Sequence, residues 1–161
     1  GIPMIFQGQE LLEDEYFRDT DPIDWSKLSK FAGIHRMYRD LARLRRNWNN
    51  QTRGLRGQHV SVHHRNDDAK VLAMHRWGQG GPGDDVVVVL NFSNQSFPSY
   101  RVGFPRPGAW TLRFNSDSPD YGPDFAAVHS YSTSASAGPV DRLPFAADVG
   151  LGPYSALIFS Q

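Results

Sequence analysis

The sequence predicts a mainly β protein, in which a strand, an acidic loop and a helix lead into a C-terminal antiparallel β-sandwich. After Gly57, short runs rich in β-branched and aromatic residues alternate with Gly, Pro, Asn and Asp turn chemistry. One apolar stripe at three- and four-residue spacing occupies residues 27–47. The run Val86-Val87-Val88-Val89-Leu90 has no alternation and reads as a central strand covered on both sides.

The elements follow in chain order. Residues 1–6, Gly-Ile-Pro-Met-Ile-Phe, form a short apolar run that suits a strand buried on both faces, with its proline near the start. From there to Trp25 no period holds and acids abound, so this stretch reads as a long loop, a kind of segment that often carries function. In the helix expected over 27–47, Phe31, Ile34, Met37, Tyr38, Leu41 and Leu44 form the apolar stripe. Arg43, Arg45 and Arg46 crowd its last turn, where positive charge complements the helix dipole. Strands are expected at 59–65, 69–77, 85–92, 100–104, 109–114, 126–131 and 154–160. Asn66-Asp67-Asp68 marks a hairpin turn, residues 78–84 a glycine-rich loop and residues 105–108 a further turn. The Ser-rich stretch 130–138 reads as a flexible insertion. The chain thus divides into a first unit, 1–56, and an all-β unit, 57–161.

Composition excludes several classes. With 17 basic and 17 acidic side chains and a pI near 7.2, the chain lacks the basic excess of a nucleic-acid binder. No apolar run approaches the roughly 20 residues of a membrane span. The absence of cysteine rules out disulfides and thiol catalysis and fits a reducing, cytoplasmic compartment. No basic-then-apolar leader opens the chain, which starts on Gly1 rather than Met, as a piece of a longer protein would. The neutral total conceals a segregation. Residues 10–24 carry seven acids (Glu10, Glu13, Asp14, Glu15, Asp19, Asp21, Asp24) against Arg18, whereas residues 27–56 carry nine bases against Asp40. Such blocks usually mean solvated faces, and the functional alternative is a polar site in the acidic stretch.

Metal and nucleophile chemistry find no support. His59 and His63, four apart on one expected strand, stand roughly 13 Å apart, too far to share a metal. No HExxH, CxxC, phosphate loop or GxSxG pattern occurs, and the glycines of 78–83 precede no helix that would bind phosphate. No cofactor is expected. Three Asn-x-Ser/Thr matches, at Asn50, Asn91 and Asn94, read as coincidences without a secretory leader. The aromatics Tyr16, Phe17 and Trp25 flank the acidic loop, and flat rings beside carboxylates and amides suit a sugar. Packing of these rings onto the loop's support is the plainer alternative.

Residues 1–10, Gly-Ile-Pro-Met-Ile-Phe-Gln-Gly-Gln-Glu, resemble the eighth barrel strand of glycoside hydrolase family 13, the α-amylase superfamily. There a Gly-x-Pro leads an apolar strand into a Gly-x-Glu turn at the substrate face. Asp24-Trp25, after an acidic and aromatic loop, is most similar to the glucan-branching subgroup. Residues 84–93, Asp-Asp-Val-Val-Val-Val-Leu-Asn-Phe-Ser, resemble the GDxxVVVxNF strand of the family's all-β C-terminal domain. Residues 100–105, Trp110 and residues 115–117 resemble the branching version of that domain. Leu151-Gly152-Pro153-Tyr154-Ser155-Ala156-Leu157 resembles its last strand. Family members often carry an arginine shortly before the Trp25 position, and here the nearest is Arg18.

The resemblance implies that residues 1–56 are the last strand, loop and helix of a (β/α)8 barrel and that 57–161 are the all-β C-terminal domain. It implies retaining glycoside transfer on an α-glucan or maltooligosaccharide by two carboxyls roughly 5–5.5 Å apart. In the family the catalytic acids come from the fourth, fifth and seventh barrel strands, so none lies in this chain. Gln9, Glu10, Arg18, Asp19 and Trp25 are the residues expected near glucan hydroxyls, on one wall of the cleft. Expected partners are the remaining catalytic barrel or a second copy of the chain, with neither nucleic acid nor membrane. The alternative is a stand-alone carbohydrate-binding or interaction module.

Overall fold

The computed structural model describes residues 2–16 and 18–161. Eight antiparallel strands form one continuous ladder: β1 (His59–Asn66), β2 (Val71–Trp77), β3 (Val86–Asn91), β4 (Phe97–Phe104), β5 (Gly108–Asn115), β6 (Thr133–Val140), β7 (Leu143–Leu151) and β8 (Ala156–Ser160). Their spatial order is β1-β2-β3-β8-β5-β6-β7-β4. The ladder rolls over on itself to make the two layers of the sandwich. Val87, Val89, Leu157 and Phe159 from one half share a core with Val102, Phe104, Val149 and Leu151 from the other, and Trp110 is buried among them.

Strand periodicity of two decides which valines go where. Val87 and Val89 face that core, while Val86 faces the other way with Phe114 and Ile158. There Met37, Leu41 and Leu44 of the helix cover them. Val86–Val89 is therefore covered on both sides, as the unalternating run predicts.

The ladder's two edges, β1 and β4, are tied by side chains. His64 Nδ1 lies 2.9 Å from Asp141 Oδ1, and its Nε2 lies 2.9 Å from Tyr100 Oη. Asn66 Nδ2 donates to the same phenol at 3.0 Å. The seam closes the ladder through side chains, His64 and Asn66 on one edge strand and Tyr100 on the other.

The glycine-rich loop is built around a buried carboxylate. Asp84, fully buried, accepts N–H bonds from Gly78 at 3.1 Å and Gln79 at 2.6 Å, with Arg53 Nε 3.3 Å away. Neighbouring Asp85 accepts from Arg106 Nε at 2.7 Å and lies 2.8 Å from His75 Nε2. The loop's N–H groups are satisfied by the protein's own acid.

Five expectations are corrected. Residues 2–6 form no strand. Burial on both faces needs a strand on either side, and among the described residues none adjoins it; Ile2 is 95% exposed and Met4 84%. The helix over 27–47 is two pieces, α1 (Lys27–Lys30) and α2 (Ala32–Arg45), parted at Phe31 with φ −115° and ψ 32°. The break lies beside Gly33, where a Cβ would sit 2.2 Å from the Tyr121 carbonyl oxygen. Residues 126–131 are a loop, because Ala127 and His129 take φ of 50° and 59°, outside extended geometry. The Ser-rich stretch forms β6, pairing Ala135 with Gly108 and Thr133 with Trp110. Finally β7, absent from the expected strands, pairs with both β4 and β6.

Candidate functional site

The acidic loop leaves residues 2–6 through Gly8, whose φ of 79° reverses the chain into a 3-10 turn, Gln9–Leu11. Leu11 is fully buried and holds this turn down. Beyond it, one carboxylate organises the return path. Glu13 Oε2 accepts the Asp24 N–H at 3.1 Å, and Oε1 accepts the N–H groups of Asp14 at 3.1 Å and Glu15 at 3.2 Å. Lys27 Nζ, at the start of α1, donates to both Glu13 and Asp14. The lysine and these N–H groups push the Glu13 carboxyl down to about 2, and the paired carboxylates raise Lys27 above its ordinary range. Hydrogen bonds from Ser26 lower Asp24 as well.

The folded loop encloses a cavity of about 270 Å³ whose lining includes Gln7, Gln9, Glu13, Glu15, Tyr16 and Arg18. Gln9 Oε1 accepts the Phe6 N–H at 3.1 Å, and Arg18 Nε lies 3.9 Å from Asp21 at the exposed rim. Of the five residues expected near a sugar, the structure brings these two together. Glu10 instead faces a second cavity, of about 390 Å³, against His35, Tyr38 and Arg39 of α2. Asp19 and Trp25 are exposed and outside both cavities, with Trp25 65% accessible. Phe17 lies outside the described residues. Glu13, the residue that shapes the loop, counted in the sequence only as one acid of seven. Its signal was Lys27, the first base after the acidic stretch 10–24, which Arg18 alone interrupts.

Amides, a phenol, a guanidinium and ionised carboxylates around one cavity can hydrogen-bond the hydroxyls of a polar ligand. Glu13 is poorly suited to proton transfer. A carboxyl held near 2 is ionised at neutral pH and cannot act as a general acid there.

A two-layer antiparallel domain with a helix on its outer face and a polar loop cluster beyond it places the chain among the antiparallel β-sandwich domains. Residues 61–161 match the family described as alpha amylase, C-terminal all-beta domain, and the chain belongs to that family. It is similar along most of its length to proteins named 1,4-alpha-glucan branching enzyme GlgB. That of Burkholderia thailandensis is 30% identical over 168 aligned positions, covering 99% of this chain and 19% of the relative. For Nocardia farcinica the identity is 32%, covering 98% of this chain and 21% of the relative. For Thiobacillus denitrificans it is 35%, covering 76% and 17%. The chain therefore spans about a fifth of the length of the curated relatives it matches. Among the described residues, no helix is long and apolar enough to cross a membrane.

Proposed function

We propose that this chain serves as the C-terminal part of a 1,4-α-glucan branching enzyme that acts by retaining glycoside transfer. The supporting observation is similarity to branching enzymes over 98–99% of the chain, which includes the loop 7–25 as well as the β domain. In this reading residues 1–56 complete a (β/α)8 barrel, and residues 57–161 brace its last helix through Val86, Phe114 and Ile158. The catalytic acids belong to upstream barrel strands, and the chain by itself performs no transfer. Gln9 and Arg18, with Glu10, Asp19 and Trp25 around them, form one wall of the glucan cleft, consistent with barrel sites lying at the C-terminal ends of strands. The exposed residues 2–6 take the remaining barrel as partner. The location is cytoplasmic, in keeping with the lack of cysteine.

The test uses amylose as substrate. The full-length gene product should lower the iodine-stained absorbance of amylose and create α-1,6 branch points, whereas the purified 161-residue chain should do neither. In the full-length enzyme, Arg18→Ala should raise KM for amylose about tenfold with kcat little changed, the loss expected for one charged hydrogen bond. Turnover by the purified chain would overturn the assignment of the acids to upstream strands. An unchanged KM in the variant would remove Arg18 from the cleft wall.

A further inference from the structure

The basic block of residues 27–56 converges at one place in the fold. Arg45 and Arg46, at the C-terminal end of α2, meet Arg56 of the 3-10 turn Arg53–Arg56 around a cavity of about 350 Å³. Among the described residues, Pro3 is its one other lining residue.

The carboxylates of the neighbouring segments are already engaged. Asp40 Oδ1 lies 3.4 Å from Arg39 Nε and 3.7 Å from Arg43 Nη1. Asp84 lies 3.3 Å from Arg53 Nε. Among the described residues, none of the three lining arginines forms an ion pair. Nor does the end of α2 consume them. Its Leu44 carbonyl accepts from the Thr52 hydroxyl at 2.7 Å and the Asn47 N–H at 3.0 Å, and its Arg43 carbonyl from the Trp48 N–H at 3.0 Å. The Arg46 guanidinium lies over the Trp48 ring at 5.5 Å, which steadies it.

Three guanidiniums held together without counter-charge repel one another, a cost that an anion in their midst removes. We propose that this cavity binds a phosphate-bearing small molecule. A phosphoryl group offers terminal oxygens to several planar guanidinium forks at once, a geometry that arginine recognises better than lysine. At about 350 Å³ the cavity has room for a small organic body beside the phosphate group. An acidic peptide is the competing ligand, and the titration below separates the two. The proposal does not rest on the glucan reading, and Pro3, Arg45 and Arg46 also border the apolar cavity beside residues 2–6.

Titration of the full chain with inorganic phosphate and with a hexose 6-phosphate, at ionic strength held constant with sodium chloride, tests it by NMR. Saturable shifts are expected at the Trp48 indole and at the Nε–H signals of Arg45, Arg46 and Arg56. Tighter binding of the hexose phosphate identifies the organic body as part of the ligand; equal binding identifies free phosphate. The R46Q/R56Q variant alters two exposed side chains and should weaken affinity about tenfold or more, while R142Q on the β6–β7 turn leaves it unchanged. Thermal midpoints near that of the parent chain establish that both variants fold, and R45Q is the second cavity variant. Shifts that follow chloride as they follow phosphate would overturn the proposal. So would undiminished affinity in R46Q/R56Q, or binding of a glutamate-rich peptide without binding of phosphate.

Discussion

Glu13 and Asp84 each gather chain segments around one carboxylate, and each makes its region sensitive to acid. The Glu13 carboxyl is depressed from 4.5 to about 2, so its contribution is present above 4.5 and is lost as the pH falls from there towards 2. Glu13→Gln removes the charge that holds Lys27 while keeping the shape. Amide hydrogen exchange at Glu15 and Asp24 should then quicken at neutral pH, and the acid-induced loosening of the loop expected of the parent chain should shrink, with Asp14 and Asp24 supplying what remains. Equal protection in both proteins would show that Leu11 and the 3-10 turn hold the loop unaided. At Asp84, burial raises the carboxyl, but the N–H bonds of Gly80 and Gln79 and the Arg53 guanidinium outweigh it and leave it below its ordinary 3.8. Its contribution is likewise present above 3.8 and fades as the pH falls further. Asp84→Ala strips the loop's N–H groups of their acceptor and should lower stability by roughly 3 kcal/mol, read from a urea midpoint at pH 7. At pH 2 the gap between parent and variant should narrow.

At the scale of elements, β7 shows what patterning conveys and what it conceals. Ala147, Val149 and Leu151 alternate inward as a strand should, but Pro144, two alanines and Gly150 dilute the β-propensity signal. Ala146 and Gly150 on the opposite face are buried too, Gly150 against His129 and Tyr131 of the segment before β6. That contact depends on Gly150: a Cβ there would sit 1.5 Å from the His129 carbonyl oxygen. Gly150→Ala should cost about 3 kcal/mol or more by forcing the loop away, with extra proteolytic cleavage at residues 126–131. Full stability in that variant would mean the loop does not close on β7. β3, α2 and the hairpin turn at Asn66 were legible because their signals are local: an unalternating valine run, an apolar stripe, an Asx turn. The Ser-rich strand β6 was not. Its small residues mark a strand only because Gly108 and Trp110 lie beside it, a long-range fact that no window of sequence contains. The loop cluster was legible as a polar, aromatic stretch, yet not which members share a cavity. That depends on Gly8, whose left-handed turn brings Gln9 and Arg18 together and sends Glu10 towards α2.

The molecule as a whole has one finished core and one unfinished face. The sandwich buries Trp110, Phe104 and Phe159 completely, whereas Ile2, Met4, Ile5 and Phe6 stand 95%, 84%, 52% and 53% exposed. Beside them a cavity of about 450 Å³, lined by Met4, Ile5, Tyr38, Leu41 and Leu55 among others, continues the apolar surface onto α2. Burying such side chains yields roughly 1.5–3 kcal/mol each, enough to drive association once several act together. The isolated chain should therefore self-associate through this face, with light scattering showing species larger than the monomer in a concentration-dependent way. Dissociated chain at low concentration should stain with a hydrophobic dye. Ile2→Ser combined with Met4→Ser leaves the sandwich core untouched, so it should shift the equilibrium towards monomer and weaken the dye signal without moving the thermal midpoint of the β domain. If the proposed barrel exists upstream, its stoichiometric addition should have the same effect on the parent chain, because it would cover the same face. A monodisperse, unstained monomer in the absence of any partner would refute the assignment of residues 2–6 to an interface, and with it the argument that this face is completed by a barrel.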